Sequence, residues 1–239
     1  AASTDIALGS LHAGSAAFAR AEGHLERALG IAEQIESAPL RVEGLNAYGE
    51  LELRRDDPAQ ALARFEEALE IADSASAVTD LRRATVLHNA AVAQARLSRY
   101  DAALVRLRNA LAINEDEEAI PEQASNHYML ASVHSRLGAD ERALEHARRA
   151  LELDKRMENS IRIAEDLVAI AEIYRNMDLL QEAEDYFGRA LEVYRSLSYR
   201  AGMRSVLLEL RDLAERSGDR TAQQRYQDAL DRLGDDKGE

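Results

Sequence analysis

Residues 61–70 read Ala-Leu-Ala-Arg-Phe-Glu-Glu-Ala-Leu-Glu, and residues 183–192 read Ala-Glu-Asp-Tyr-Phe-Gly-Arg-Ala-Leu-Glu. Counting from Ala61 or Ala183, a large ring (Phe65, Phe187) follows at offset four and an Ala-Leu pair (Ala68-Leu69, Ala190-Leu191) at offsets seven and eight. Those offsets share one face of an α-helix. The same arrangement stands at Ala21, Leu25 and Ala28-Leu29, at Ala103, Leu107 and Ala110-Leu111, at Ala143, Ala147 and Ala150-Leu151, and at Ala222, Tyr226 and Ala229-Leu230. Successive Ala-Leu pairs are 40, 42, 40, 40 and 39 residues apart. A period of this length is the mark of a repeat architecture. The alanines let a neighbouring helix approach closely, and the large residues fill the space between.

A second periodic segment precedes each of these helices. Its apolar face reads Leu45, Tyr48, Gly49; then Leu87, Ala90, Ala91; then His127, Leu130, Ala131; then Leu167, Ile170, Ala171, Tyr174. Stop and start signals separate the two segments. Asp57-Pro58 is an N-cap followed by proline at the first helical position. Ser98 with Asp101 reads as a capping box. Gly138-Ala139-Asp140 and Gly218-Asp219 are further turns. The unit is therefore helix, tight turn, helix. Six copies span about 2–38, 41–79, 80–119, 121–158, 160–198 and 200–234, and together they predict a single all-α, right-handed solenoid over 1–239. Leu210 breaks the small-residue pattern in the sixth copy, whose second helix carries Gln223, Gln224, Arg225, Gln227 and Asp228. A polar last helix is how a solenoid is capped. The tail Asp235–Glu239 is expected to fray. The run Asn114–Glu118 is expected to be a solvated loop.

Composition agrees with this reading. The 239 residues include 44 alanines but only 3 prolines and no tryptophan, which favours helices over a sandwich or barrel. The net charge of −14 argues against nucleic acid as a partner and against adhesion to anionic lipid. No apolar run is long enough to cross a bilayer as a helix, so no membrane insertion is expected. The absence of cysteine removes thiolate catalysis, cysteine-bound zinc and disulfides. A start at Ala1-Ala2-Ser3 fits a cleaved export or lipoprotein signal and equally a cut at a domain edge. Cytoplasm and bacterial periplasm both stay open.

The pattern resembles tetratricopeptide repeats. The family's small residue in the first helix stands at Gly9, Gly49, Ala91, Ala131 and Ala171, its turn-flanking aromatic at Phe18 and Tyr100, and its second-helix Ala, large, Ala pattern in the triplets above. The chain departs from the family at its fourth-position aromatic, which reads Leu45, Leu87, His127 and Leu167, and in its period of about 40 against the usual 34. It is similar in this to the long-repeat subgroup of kinesin light chains, Pins-type adaptors and many bacterial sensor and scaffold proteins.

The resemblance implies that the first helices line a concave groove, with four positions of each repeat facing inward. They read Asn46, Glu50, Leu53 and Arg54; His88, Val92, Ala95 and Arg96; Tyr128, Ser132, Ser135 and Arg136; Val168, Glu172, Arg175 and Asn176. Arg54, Arg96 and Arg136 recur at one position, and Arg175 stands one residue earlier in its repeat. A row of guanidinium groups in an acidic chain is a candidate cradle for an acidic peptide or carboxylate. Arginine near a helix C-terminus is also favoured by the helix dipole alone. Asn46, Tyr128 and Ser132 are candidates to bond an extended backbone. The chaperone-tail carboxylate clamp is missing, since Ile6, Ser10, Asn46, His88 and Val92 occupy its positions.

Catalysis finds little support. No HExxH, G-x-S-x-G or P-loop occurs. His24 and His146 share an outward position of the second helix, and the resemblance puts His12 and His134 where the family keeps a tyrosine. His127 and His134, seven residues apart, are too distant to hold one metal without a third element. No metal and no cofactor is expected. The sequence thus points to a non-enzymatic scaffold that binds a protein or peptide. Alternatives are an effector-sensing segment of a larger signalling or transcription-regulating protein, and a bacterial envelope assembly factor. Ala-rich faces and open solenoid ends leave homo-oligomers open.

Overall fold

The computed structural model describes residues 1–15 and 17–235. Among them are twelve α-helices and no strand. They are α1 Ala2–Gly14, α2 Phe18–Gln34, α3 Ala38–Arg54, α4 Pro58–Ser74, α5 Asp80–Arg96, α6 Tyr100–Asp116, α7 Ile120–Arg136, α8 Asp140–Arg156, α9 Ser160–Asn176, α10 Leu180–Ser196, α11 Arg200–Ser217 and α12 Arg220–Asp235. The chain has the all-α repeat fold that the periodicity predicts. Each helix from α2 to α10 has 17 residues. Two such helices with two three-residue turns make the forty-residue period. The spacing of 42 arises at one joint, where Ala75–Thr79 connects α4 to α5. Residues 236–239, where fraying was expected, lie outside the described residues.

The turns share one geometry. Glu36, Asp56, Ser98, Glu118, Glu158, Asp178 and Ser198 all have φ between 52° and 63°, and Gly138 and Gly218 occupy the same place at 71° and 77°. The N–H after each turns back to a carbonyl five residues earlier, as from Ser37 to Ala32 at 2.9 Å, Arg99 to Gln94 at 2.8 Å and Ala139 to His134 at 2.9 Å. This Schellman closure satisfies the last carbonyls of the preceding helix. Ser98 is therefore not the N-cap of α6. Arg99 holds that place without a side-chain cap, and Ser98 takes the left-handed position. Asp57 does cap α4, its carboxylate accepting from Gln60 N–H at 3.0 Å. Asp219 caps α12 through the N–H groups of Thr221 and Ala222. The acidic run 114–118 is mostly helix: α6 continues through Asp116, Asn114 is buried, and only Glu117 and Glu118 enter the turn.

The large and small positions interlock as their spacing implies. Phe65, Phe187, Leu25 and Leu107 are fully buried. A Cβ on Gly49 would lie 2.4 Å from the Phe65 ring, and one on Gly9 would lie 2.7 Å from Leu25. The first helix must be bare there because the second helix drives its largest side chain into that spot. Truncating Phe65 to alanine would cost about 3–5 kcal/mol.

The described residues fall into two compact units, one ending at Glu122 and the other beginning at Gln123. In the first, α1 lies beside α3 and α3 beside α5, with second helices packed behind them. Val42, Leu45, Leu62, Phe65 and Val86 form part of its core. In the second, the core runs from Ala131 through Leu167, Ile170 and Phe187 to Leu210 and Tyr226. Among the described side chains of α12 only Ala222 and Tyr226 are buried, while Gln224, Arg225 and Asp228 are exposed.

Candidate functional site

In the second unit, α7 and α9 enclose a cleft of about 260 Å³. Tyr128, Ser132, Ser135 and Arg136 line it from α7, and Ala169, Glu172 and Asn176 from α9. One helix face carries each set, because residues four apart are stacked one turn above another. Asn176 donates to Ser135 Oγ at 3.2 Å across the floor. The side chains of Tyr128, Ser132 and Arg136 make no hydrogen bond to another described residue. Burial raises the Tyr128 phenol, and the carboxylates of Glu165, Glu172 and Asp166 add to the effect. The hydroxyl stays protonated and able to donate. Glu172 keeps accessible surface, yet its place within the cleft raises its carboxyl; Arg175 pulls it back, Glu209 pushes it up and Arg136 pulls it down. Arg175 itself is drawn away to an ion pair with Glu209 of α11.

Around Glu50 the corresponding face of the first unit is closed by its own side chains. Asn46 donates to Glu50 at 2.9 Å. Asn89 of α5 donates to Asn46 Oδ1 at 2.9 Å and to Glu50 at 3.0 Å. Burial raises the Glu50 carboxyl, opposed by the two asparagines and by Arg54. Arg96 reaches across to the Leu53 carbonyl at 2.8 Å, where it caps the end of α3. Arg82 pairs with Glu43 at 3.2 Å beside a shallower pocket. His88 is half-buried on α5 and Arg54 is exposed at the end of α3.

The ten sequence-predicted site residues thus divide. Tyr128, Ser132, Arg136 and Glu172 come together in one cleft. Asn46, Glu50, Arg54 and Arg96 surround a self-bonded cluster, with His88 on the neighbouring helix. Arg175 serves α11. Arg54, Arg96 and Arg136, alike in sequence position, and Arg175, one residue earlier, have four different surroundings. Sequence reasoning missed Asn89 and Ala169, which occupy one equivalent place on α5 and α9, a residue beyond the inward positions carried over from the family. The signal available was the polar side chain of Asn89 one turn from the buried Val86 and Ala93.

The histidines are not simply outward. His24 stacks on His12 with ring centres 5.5 Å apart, and His146 stacks on His134 at the same distance. In the first unit His24 Nδ1 lies 2.8 Å from Asp5 Oδ1. In the second, His146 Nδ1 lies 2.9 Å from His127 Nδ1. Asp5, His12 and His24 and His127, His134 and His146 are the same three repeat positions. His146 is the third element that the spacing of His127 and His134 lacked. Even so, no group of three or more histidine or acidic side chains among the described residues could hold a metal. Burial drives His127 down to about 4, with His146 and Arg149 acting the same way. Asp5 is held low by its bond to His24. Behind the cleft, Asp154 of α8 and Asp166 of α9 share a hydrogen bond while buried, and desolvation raises both carboxyls. Among the described residues no helix is long and apolar enough to cross a membrane.

BtubC from P. vanneervenii superposes with a TM-score of 0.74 at 21% identity, covering 98% of this chain and 91% of that one. A Rap protein complexed with competence and sporulation factor matches with a TM-score of 0.73 at 16% identity, over 89% of this chain and 58% of its own. A STAND signal-transduction ATPase with a tetratricopeptide repeat sensor, from Pyrococcus horikoshii, matches at 0.76 and 16%, over 96% of this chain and 35% of its own. These likenesses are of fold. No curated protein matches in sequence. Family models of the tetratricopeptide repeat match residues 1–74 and 40–116, 127–160 and 167–198. Repeats recognised along most of the sequence, folded as stacked helix pairs, place this chain in the tetratricopeptide repeat family.

Proposed function

We propose that this chain is a non-catalytic interaction scaffold and that the α7–α9 cleft of its second unit holds a peptide segment of a partner. The observation that carries this reading is the set of donors left without a partner in one concavity: the Tyr128 and Ser132 hydroxyls and the Arg136 guanidinium. These donors are open to water in the free protein, and an arriving carbonyl or carboxylate replaces that water with a fixed acceptor. Peptide backbone supplies such acceptors at short intervals. The Rap neighbour, complexed with competence and sporulation factor, is a precedent in the same fold. A second reading, a sensor segment within a longer chain, is supported by the STAND neighbour, of which this chain spans only 35%. Both readings place a ligand in the repeats.

The test is capture of a random decapeptide library on immobilised protein, with bound sequences read by mass spectrometry. Wild type is expected to enrich a defined set, and Arg136→Glu to lose it. The double variant Arg54→Glu/Arg96→Glu is expected to retain it. Equal enrichment by wild type and Arg136→Glu would move the site off the cleft.

A further inference from the structure

Arg136 and Glu172 stand in the same cleft with opposite charges, yet they do not form an ion pair with each other or with any other described residue. Other arginines of the repeats close on a carboxylate of a neighbouring repeat. Arg175 closes on Glu209, Arg82 on Glu43 and Arg106 on Glu66. In the cleft, Tyr128, Ser132 and Ser135 lie along α7 with Arg136, and Glu172 faces them from α9. One end of the concavity is therefore an unpaired cation, the facing wall an unpaired carboxylate, and neutral hydroxyls lie beside them.

We infer that the cleft recognises a dipolar segment, one that presents a cationic nitrogen to Glu172 and a carboxylate to Arg136 within the length of about two residues. The inference rests on the peptide reading of the same cleft and narrows it. A purely acidic partner, which the arginine row alone suggested, would satisfy Arg136 but bring a like charge against Glu172. A purely basic one would do the reverse. A dipolar ligand satisfies both, and charge pairs of this kind contribute specificity by penalising the wrong partner as much as by attracting the right one. The size agrees: about 260 Å³ is just below the ~300–1,000 Å³ of sites for drug-sized molecules, and suits a dipeptide-sized group. The charges come either from the free termini of a very short peptide or from adjacent basic and acidic side chains within a longer one.

Calorimetric titration of the whole chain with five dipeptides tests this. Acetyl-Lys-Glu-amide carries both charges on side chains, and Ala-Ala carries both on its termini. Acetyl-Ala-Glu-amide is anionic, acetyl-Lys-Ala-amide cationic and acetyl-Ala-Ala-amide neutral. One of the two dipolar probes is expected to bind about tenfold or more tighter than either singly charged probe, and which one does so identifies the source of the charges. Arg136→Gln should abolish the preference for the carboxylate, and Glu172→Gln the preference for the cation. Equal affinity for the anionic and dipolar probes, or an unchanged preference in Glu172→Gln, overturns the inference. If no dipeptide binds while wild type still enriches decapeptides, the dipolar inference fails and the peptide reading stands. If the library also yields nothing, both fail.

Discussion

The first-helix faces of the two units are built on the same register, and one residue separates their fates. On α5, Asn89 fills the space beside α3 and bonds both Asn46 and Glu50. On α9 the equivalent residue is Ala169, and the space beside α7 is the cleft. At Asn46, Glu50 and Arg96 the first unit has spent its polar groups on itself. The second keeps Tyr128, Ser132 and Arg136 unspent. A groove in a repeat protein is thus not a property of the repeat but of which positions decline to bond their neighbours.

The comparison can be inverted. Ala169→Asn brings the closing side chain into the second unit; capture of the enriched peptides is expected to fall by about 100-fold, ~3 kcal/mol, while the melting temperature hardly moves. Retained capture would mean that the cleft is not where peptides sit. The opposite change, Asn89→Ala, strips Glu50 of a donor in a desolvated place and should cost the protein about 2 kcal/mol in urea titration. Ser132→Ala, at the position of Glu50, is expected to cost under ~0.5 kcal/mol because nothing in the chain depends on its hydroxyl. Equal losses would erase the distinction between the faces.

The histidine positions sharpen it through pH. His127 is held near 4 in the fold against an ordinary value of 6.5. A histidine depressed in this way gives stability that is complete above 6.5 and is lost as pH falls from there toward 4. The loss is on the order of 1–2 kcal/mol once partial exposure is allowed for. In the first unit Asp5 replaces it, and its lowered value gives stability that persists above 3.8 and disappears only below. Hydrogen exchange at pH 5 should therefore quicken around α7 and α8 before α1 and α2. His127→Leu, which restores the residue type of Leu45, Leu87 and Leu167, should remove the difference. A small effect is also expected at the turns. Glu36→Gly relieves a left-handed glutamate and should stabilise by about 0.5–1 kcal/mol, while Gly138→Ala should cost a similar amount.

Much of the fold was legible. The stripe of Ala61, Phe65 and Ala68 and its copies gave helix, pairing and period, because burial of a periodic face is a local matter readable from spacing. The turns were less so. Ser98 looks like a cap because serine often is one, and only the backbone geometry shows it in the left-handed place that Glu36 and Asp56 also take. The site was legible in part. Arg54, Arg96 and Arg136 are indistinguishable along the chain, yet a carbonyl takes one and a cleft frees another. What separates them lies on the adjacent first helix, about forty residues away, in residues such as Asn89 and Ala169 that no single repeat reveals.

The uniform turns have one more consequence. Nine joints use the same closure, seven of them without glycine, and they are spelled with glutamate, aspartate or serine alike. The connector therefore carries shape but almost no sequence. A forty-residue segment copied and inserted at such a joint would meet an identical junction on both sides. This is the grammar of a gene that can lengthen by duplication, with each new copy free to drift on its groove face while its ends remain interchangeable. The Ala75–Thr79 connection, two residues longer, is the one seam between pairs where that exchange would not be seamless.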